Sequence, residues 1–504
     1  MSPVDDRRDP SGRQRGAARV QGRTQRSASA PSQRRRGSDP ARTVAYDVLR
    51  AVDGSDSYAN LVLPPLLRER RITGRDAAFA TELAYGTLRM RGRYDAIIAL
   101  AASRDVSGID APALDVLRLG VHQLLGMRVP AHAAVSETVG LAREQLGTGP
   151  SQFVNAVLRA VGRETPEEWE QRIAQAAGDD ELARLAVVQS HPLWVVRALR
   201  EALVGNGRSA DEIEALLAAD NLAPRVTIVA RPGLASTDEV VQDAGDGVAT
   251  PGVLAPTAVV LAGGDPAALP GVRDGRAGVQ DEGSQLVALA LTEVTLDGPD
   301  ERWLDLCAGP GGKAALLAAV AGERGARIVA NEVQPHRTRL VEQALRAVPA
   351  DAVEDVRTGD GRTVGTDEPG AYDRVMVDAP CTGLGALRRR PEARWRRTPA
   401  DLAGLSALQR DLLVSALRAV RPGGVVAYVT CSPHLVETQL VVKDALKAAS
   451  RVGVEVEPVD ARAVVRGLAP GGDVDLDDDR TDVQLWPHVH GTDAMHLTLL
   501  RRTS

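Results

Sequence analysis

The sequence predicts a multidomain chain with an all-α N-terminal domain, a small α+β module and a C-terminal α/β domain of the Rossmann-like, doubly wound type. Three observations carry that prediction. Apolar residues recur three and four apart from about residue 40 to 165. Near residues 222–262 the pattern breaks into short β-branched runs between Pro and Gly. From 276 onward strand-like runs alternate with helical ones. A length of 504 residues also exceeds what one core accommodates. The expected units are a tail (1–39), the helical domain (40–165), a helical linker with the small module (166–275) and the α/β domain (276–504).

Residues 1–40 hold ten arginines against four aspartates and almost no large apolar side chain, so they bury too little surface to order themselves. The segment reads as a solvated tail or as a basic arm that raises affinity for RNA through phosphate contacts. The whole chain is no polycation, because its net charge is −6. No run of about 18 apolar residues and no apolar signal core occur, so neither a membrane span nor a leader is expected. Three cysteines without a CxxC pair argue against a disulfide framework or a cysteine zinc site and point to a reducing cytoplasm. No metal is expected, and the chain is expected to be a monomer.

The helical domain is read from "TVAYDVLRAV", "AAFATELAYGTLRMRGRYDAIIALAA", "APALDVLRLGVHQLLGM" and "HAAVSETVGLAREQL", punctuated by Pro112, Pro130 and Pro150. "DELARLAVVQ" and "ADEIEALLAAD" continue as helices. "PRVTIVARPG" and "GVLAPTAVVLAGG" are the short strands of the small module. In the α/β domain "RWLDLC", "ARIVANE", "VEDVRTGD", "YDRVMVDAP" and "GGVVAYVTC" are strands. "GGKAALLAAVA", "PHRTRLVEQALRAV" and "LSALQRDLLVSALRAV" are helices. Such sheets bind ligands beyond the carboxyl ends of their strands.

"LDLCAGPGGKAALLA" joins the first of these strands to its helix. Gly309, Gly311 and Gly312 allow close backbone approach, and the helix starting near Lys313 offers free N–H groups to an anion. The loop is neither a Walker A motif nor GxGxxG. Glu332 lies about twenty residues past Gly312, where an acid commonly meets a ribose hydroxyl. Asp360 ends the next strand and Asp378 the one after. Three acids at successive strand ends indicate a nucleoside-containing cofactor.

Cys307, Cys381 and Cys431 all fall at strand ends on that same edge. Buried structural cysteine is the default reading, retained for Cys307. A cysteine beside a nucleoside cofactor also suggests a nucleophile. Carbon 5 of a pyrimidine accepts a methyl cation only after a thiolate has added to carbon 6, and an acid must offset charge at the ring nitrogens. Cys431 or Cys381, with Asp378 and the Gly-rich loop, supply that set, and spacing does not choose between the two sulfurs. "RRRPEARWRR" follows Cys381, and its Arg388, Arg389, Arg390, Arg394 and Arg396 read as a phosphate clamp, with Trp395 stacking on a base or packing under the loop. An enzyme acting on a base must unstack it, so single-stranded or loop RNA is the expected target. His488, His490 and His496 lack a ligand pattern, and "DVDLDDDRTD" does not match an EF-hand.

"DLCAGPGGK", "VDAPCTGLG" followed by "RRRPEARW", and "VTCSPHLVE" resemble the signature motifs of the NOL/Sun family of RNA cytosine-C5 methyltransferases. "GRDAAFATELAYGTLRMRGRYD", "LRLGVHQLLGMRVPAHAAVSETV" and "FVNAVLR" resemble a NusB-type RNA-binding domain, a pairing that points to the RsmB (Sun, Fmu) branch. The resemblance implies S-adenosylmethionine held by Cys307, Ala308, Gly309, Pro310, Gly311, Gly312, Lys313, Glu332, Asp360 and Asp378. It implies Cys431 as nucleophile and Cys381 as the aid to product release, with Asp378 also near the base. It further implies cytosine 967 of 16S rRNA as target and an RRM-like small module. Met495 and His496 stand where Phe and Tyr are common, a departure expected to bear on RNA contacts. Two other readings stay open: an RNA-binding antitermination or ribosome-assembly factor with an idle methyltransferase fold, and a DNA or protein methyltransferase.

Overall fold

The computed structural model describes residues 39–55 and 57–504. The expected basic tail lies outside the described residues. Seven helices, Pro40–Ser55, Ala59–Glu69, Gly74–Arg89, Arg91–Ala102, Ala111–Leu125, Ala131–Leu146 and Thr148–Val161, form the N-terminal bundle. Its centre is Ala111–Leu125, buried without a break from Ala113 to Gln123. A helix buried all round must also pair its polar residues. Arg118 therefore bonds Asp95 at 2.7 Å and Asp115 at 2.9 Å.

Four shorter helices follow: Pro166–Ala176, Glu181–Val188, Leu193–Gly205 and Ile213–Asp220. The last three are more than a tether. Val195, Leu199, Leu203, Leu216 and Leu217 share one apolar cluster with Leu384, Leu387, Ala393 and Trp486 of the C-terminal domain.

The small module contains β1 (Val226–Ala230), β2 (Ala249–Pro251), β3 (Ala258–Leu261) and β4 (Ala277–Val279), paired antiparallel in the order β2-β3-β1-β4. An RRM stacks bases on aromatic side chains of its sheet. These strands hold no aromatic residue, so the sheet lacks that stacking platform and the RRM-like expectation is not confirmed.

The large sheet contains β5 (Arg302–Asp305), β6 (Arg327–Glu332), β7 (Val353–Thr358), β8 (Tyr372–Asp378), β9 (Val420–Thr430), β10 (Val456–Val459), β11 (Val483–Gln484) and β12 (His496–Arg502). Its order is β10-β12-β9-β8-β5-β6-β7, with β11 beside β12. The strands β5 to β9 pair in parallel, while β12 runs antiparallel against β9. Helices cover both faces. Leu286, Leu289, Leu316 and Leu317 pack on one, and Leu412, Leu413, Ala416 and Ala445 on the other. Strands covered twice read as continuous apolar runs. Tyr372 to Val377 are accordingly all buried, including Asp373 and Arg374, which pair with Arg421 and Asp300. Because β8 lies between β5 and β9, the loops after β5, β8 and β9 converge on one edge. Met495, just before β12, and His496, its first residue, are both buried, so neither side chain is at the surface to touch RNA directly.

Candidate active site

The convergence brings the two motif cysteines together. Cys381, three residues past β8, and Cys431, directly after β9, have their sulfurs 3.4 Å apart. A hydrogen bond from Cys381 draws the Cys431 thiol below its ordinary range. The Lys313 and Arg390 charges assist, against burial and Asp378. The same bond pushes Cys381 well up, with burial and the Glu437 charge adding to it. Of the two sulfurs, Cys431 is thus the more acidic and Cys381 the one that holds its proton more tightly. Cys307 follows β5, and there burial and the surrounding acids push the thiol well up, as suits a structural cysteine.

Lys313, in the first turn of the helix Gly312–Glu323, bonds Asp378 at 2.9 Å. Burial opposes its charge, but Asp378, with Cys431 and Asp305, more than offsets that and raises the ammonium pKa. Gly311 has φ +110, a conformation closed to most side chains. A Cβ on Gly309 would sit 2.2 Å from the Glu332 carboxylate, which accepts the Gly309 N–H at 3.0 Å. Glu332 therefore closes the loop against β6. Asp360 is paired with Arg362 at 2.6 Å and stays partly exposed. Ala308 is buried, and Pro310 and Gly312 complete the turn.

Three acceptors missed by sequence reasoning surround this loop: Asp305 Oδ2, Gln280 Oε1 and Asn331 Oδ1 are buried without a hydrogen-bond partner. Burial, with Asp378 nearby, pushes the Asp305 carboxyl up to about 7. Unfilled acceptors around a glycine turn suit a ligand rich in donors, such as ribose hydroxyls and an amino acid ammonium. The residues present thus fit S-adenosylmethionine. The acid inside the apolar run "RWLDLC" was the available signal for Asp305.

The arginine-rich loop is corrected by its surroundings. Arg394 is wholly buried and donates to Asn221 Oδ1 at 2.9 Å and Ser190 O at 3.1 Å. Arg388 donates to Gly491 O at 2.9 Å, and Arg389 bonds Asp493. Arg396 donates to Val52 O at 2.9 Å and to Ser57 O. Trp395 packs against Gly92 rather than standing free for a base. Arg388 and Arg394, enclosed by protein acceptors, have no face for a phosphate, whereas Arg389 and Arg396 are half-buried. Of the five arginines named, only Arg390 is exposed; it lies 5.3 Å over the Tyr58 ring and close enough to bias Cys431. The segment docks the α/β domain against the helical one.

Among the described residues no group of three or more His, Cys, Asp or Glu is placed to hold a metal, and no helix is long and apolar enough to cross a membrane. A cavity of about 620 Å³ lies in the helical bundle between Val135, Arg143 and Arg159, away from the cysteines.

Sheet order and glycine turn define a Rossmann-like α/β domain with its ligand edge at the cysteine loops. The family described as 16S rRNA methyltransferase RsmB/F matches residues 294–501, and the NusB family matches residues 39–163. Rv1407 of Mycobacterium tuberculosis (strain H37Rv), which carries a methyltransferase name, is 51% identical over 469 residues, 93% of this chain and 98% of that protein. Ribosomal RNA small subunit methyltransferase B of Pseudomonas putida is 31% identical over 80% of this chain and 88% of its own length. The chain belongs to the RsmB/F methyltransferase family, with an N-terminal NusB domain. The crystal structure of PH0851 shares the fold, with TM-score 0.73 at 21% identity, over 92% of this chain and 99% of that one.

Proposed function

We propose that the protein methylates carbon 5 of a cytosine in 16S rRNA, position 967 by family resemblance, through a covalent bond between Cys431 and the base. The sulfur pair at 3.4 Å, with opposite displacements of its two thiols, is the observation that carries this reading.

Cys431 attacks as the thiolate, forming a bond from sulfur to carbon 6 and moving the ring electrons toward carbon 5 and nitrogen 3. Asp378, bonded to Lys313 through Oδ2, has Oδ1 left to accept from the amino group on carbon 4, which orients the ring for the attack. S-adenosylmethionine, held by the turn from Cys307 to Lys313 with Glu332, Asp305 and Asp360 around it, supplies an electrophilic methyl group to carbon 5 when bound. Once Cys431 is a thioether it no longer accepts the proton of Cys381. The largest cause of the raised Cys381 thiol is then gone, so Cys381 releases its proton to solvent and, as a thiolate, takes the one on carbon 5. The double bond re-forms and the Cys431 thiolate leaves. Arg390 remains as a phosphate contact. The helical domain is the natural RNA-holding surface, and the protein would work where rRNA is made, in the cytoplasm.

Two substitutions test the roles. Cys431→Ala should abolish methyl transfer to rRNA while S-adenosylmethionine still binds by calorimetry. Cys381→Ala should accumulate a covalent RNA–protein adduct, seen as a retarded band on a denaturing gel. An adduct in the Cys431 variant instead would reverse the roles. Bisulfite sequencing of rRNA from cells without the protein would identify the nucleotide.

A further inference from the structure

Between the two cysteine loops lies a buried carboxylate, the last residue of "VTCSPHLVE", to which the motif gave no role. Glu437 sits in a π-helical turn, Val436–Leu440, and is wholly buried. Single π-helical turns are rare and concentrate at functional sites. Glu437 accepts the Thr382 N–H at 2.8 Å, the Thr382 hydroxyl, the Ser432 hydroxyl at 2.7 Å and the Gln409 amide at 3.1 Å. Thr382 and Ser432 are the residues directly after Cys381 and Cys431. Gln409 also donates to Pro380 O at 2.8 Å, the carbonyl just before Cys381. The Glu437 carbonyl is in turn fixed by the Tyr428 hydroxyl at 2.7 Å. Four donors converging on one carboxyl group match the acceptor-only inventory of a carboxylate.

We propose that Glu437 is a positioning residue that decides which sulfur keeps the proton. It ties the two loops so that the sulfurs stay 3.4 Å apart, and its negative charge beside Cys381 keeps that residue the thiol donor and Cys431 the acceptor thiolate. The displacement of Cys381 by the Glu437 charge agrees with this. The inference rests on the proposed division of labour between Cys431 and Cys381, and extends it to what enforces that division.

The test needs no RNA. The full chain is alkylated with iodoacetamide across a pH series, and modification of each cysteine is followed by peptide mass spectrometry. In the native protein Cys431 should react first, below the ordinary thiol range. In Glu437→Gln the charge is lost and an amide NH2 is set against the loop donors. The preference for Cys431 over Cys381 should then fall about tenfold, the equivalent of one unit in relative acidity. Circular dichroism melting reports whether that variant is folded. Should it not be, Thr382→Val, which removes one hydroxyl donor, should lower the preference in the same direction by less. An unchanged preference in a folded Glu437→Gln, or in Thr382→Val if the first is unfolded, overturns the proposal. Equal reactivity of the two cysteines in the native protein overturns it as well. Native protein that keeps the preference but fails to methylate rRNA overturns the proposed function and leaves the proton assignment standing.

Discussion

Asp305 is the most exacting single residue of the site. It ends β5 with one oxygen 3.4 Å from the Cys307 N–H and the other unpartnered, and it is wholly buried. Burial raises its carboxyl to about 7. The folded chain therefore holds a proton that the unfolded chain, with an ordinary value of about 4, has released. A group whose folded pKa is raised contributes its full stability below the unfolded value and loses it as pH rises through the folded one. Asp305→Asn keeps the shape and does not titrate. The melting temperature of the native protein should fall relative to Asp305→Asn between about pH 4 and about pH 7, and the gap should then level off. Asp220, raised to about 7 by burial, is present in both proteins and cancels in the comparison. A gap that stays constant across the series would mean that Asp305 is not buried as a proton-binding group.

At the scale of elements, the site depends on how tightly the loops after β8 and β9 interleave. Gly385 donates to Cys431 O at 2.8 Å and accepts from the Ala494 N–H at 2.9 Å. A Cβ there would meet Ala494 O at 2.3 Å and Cys431 O at 2.9 Å, both backbone atoms that cannot swing away. Gly385→Ala should cost about 1–3 kcal/mol by overpacking, read by denaturant unfolding. It should lower kcat for methylation more than it weakens S-adenosylmethionine binding, because it moves the sulfurs and leaves the turn at Gly309 untouched. The strands β5, β6, β8 and β9 and the two cysteines at their ends were legible because double-sided burial writes apolar runs, and the residue after such a run faces the ligand edge. The strands β10 and β12 were not read. "VEPV" and "HLTLLRR" are short, and β12 inserts between β10 and β9 as an antiparallel strand that no βαβ alternation announces. Glu437 closes the motif "VTCSPHLVE", but its role was illegible for a similar reason. Its partner Thr382 lies 55 residues back in the chain, and nothing local tells a helical glutamate to turn inward.

At the scale of the whole molecule, "RRRPEARWRR" shows how composition misleads when partners come from elsewhere. A run of arginines reads as a surface for phosphate until its acceptors are found in the linker helices and the N-terminal bundle. Glu392 accepts the Ala59 N–H at 2.9 Å, Arg396 reaches Val52 O, and Arg394 reaches Asn221, Ser190 and the Asp220 carbonyl. The loop that begins at Cys381 is thus the plug that fixes the NusB domain relative to the reacting sulfurs. Removing the plug's charge should separate the two without dismantling either, since each has its own apolar core. Arg394→Met leaves the Asn221 amide oxygen and the Ser190 and Asp220 carbonyls buried without their donor, a cost of about 1–3 kcal/mol for each acceptor left unsatisfied. Calorimetry should resolve the single native transition into two, and limited proteolysis should cut faster between residues 166 and 222. S-adenosylmethionine should bind as before, while the KM for rRNA rises, because the NusB surface no longer presents RNA in register with Cys431. A single transition at the native temperature, with an unchanged KM, would show that the apolar cluster around Leu199, Leu387 and Trp486 holds the domains by itself. The arginine would then be reduced to filling space.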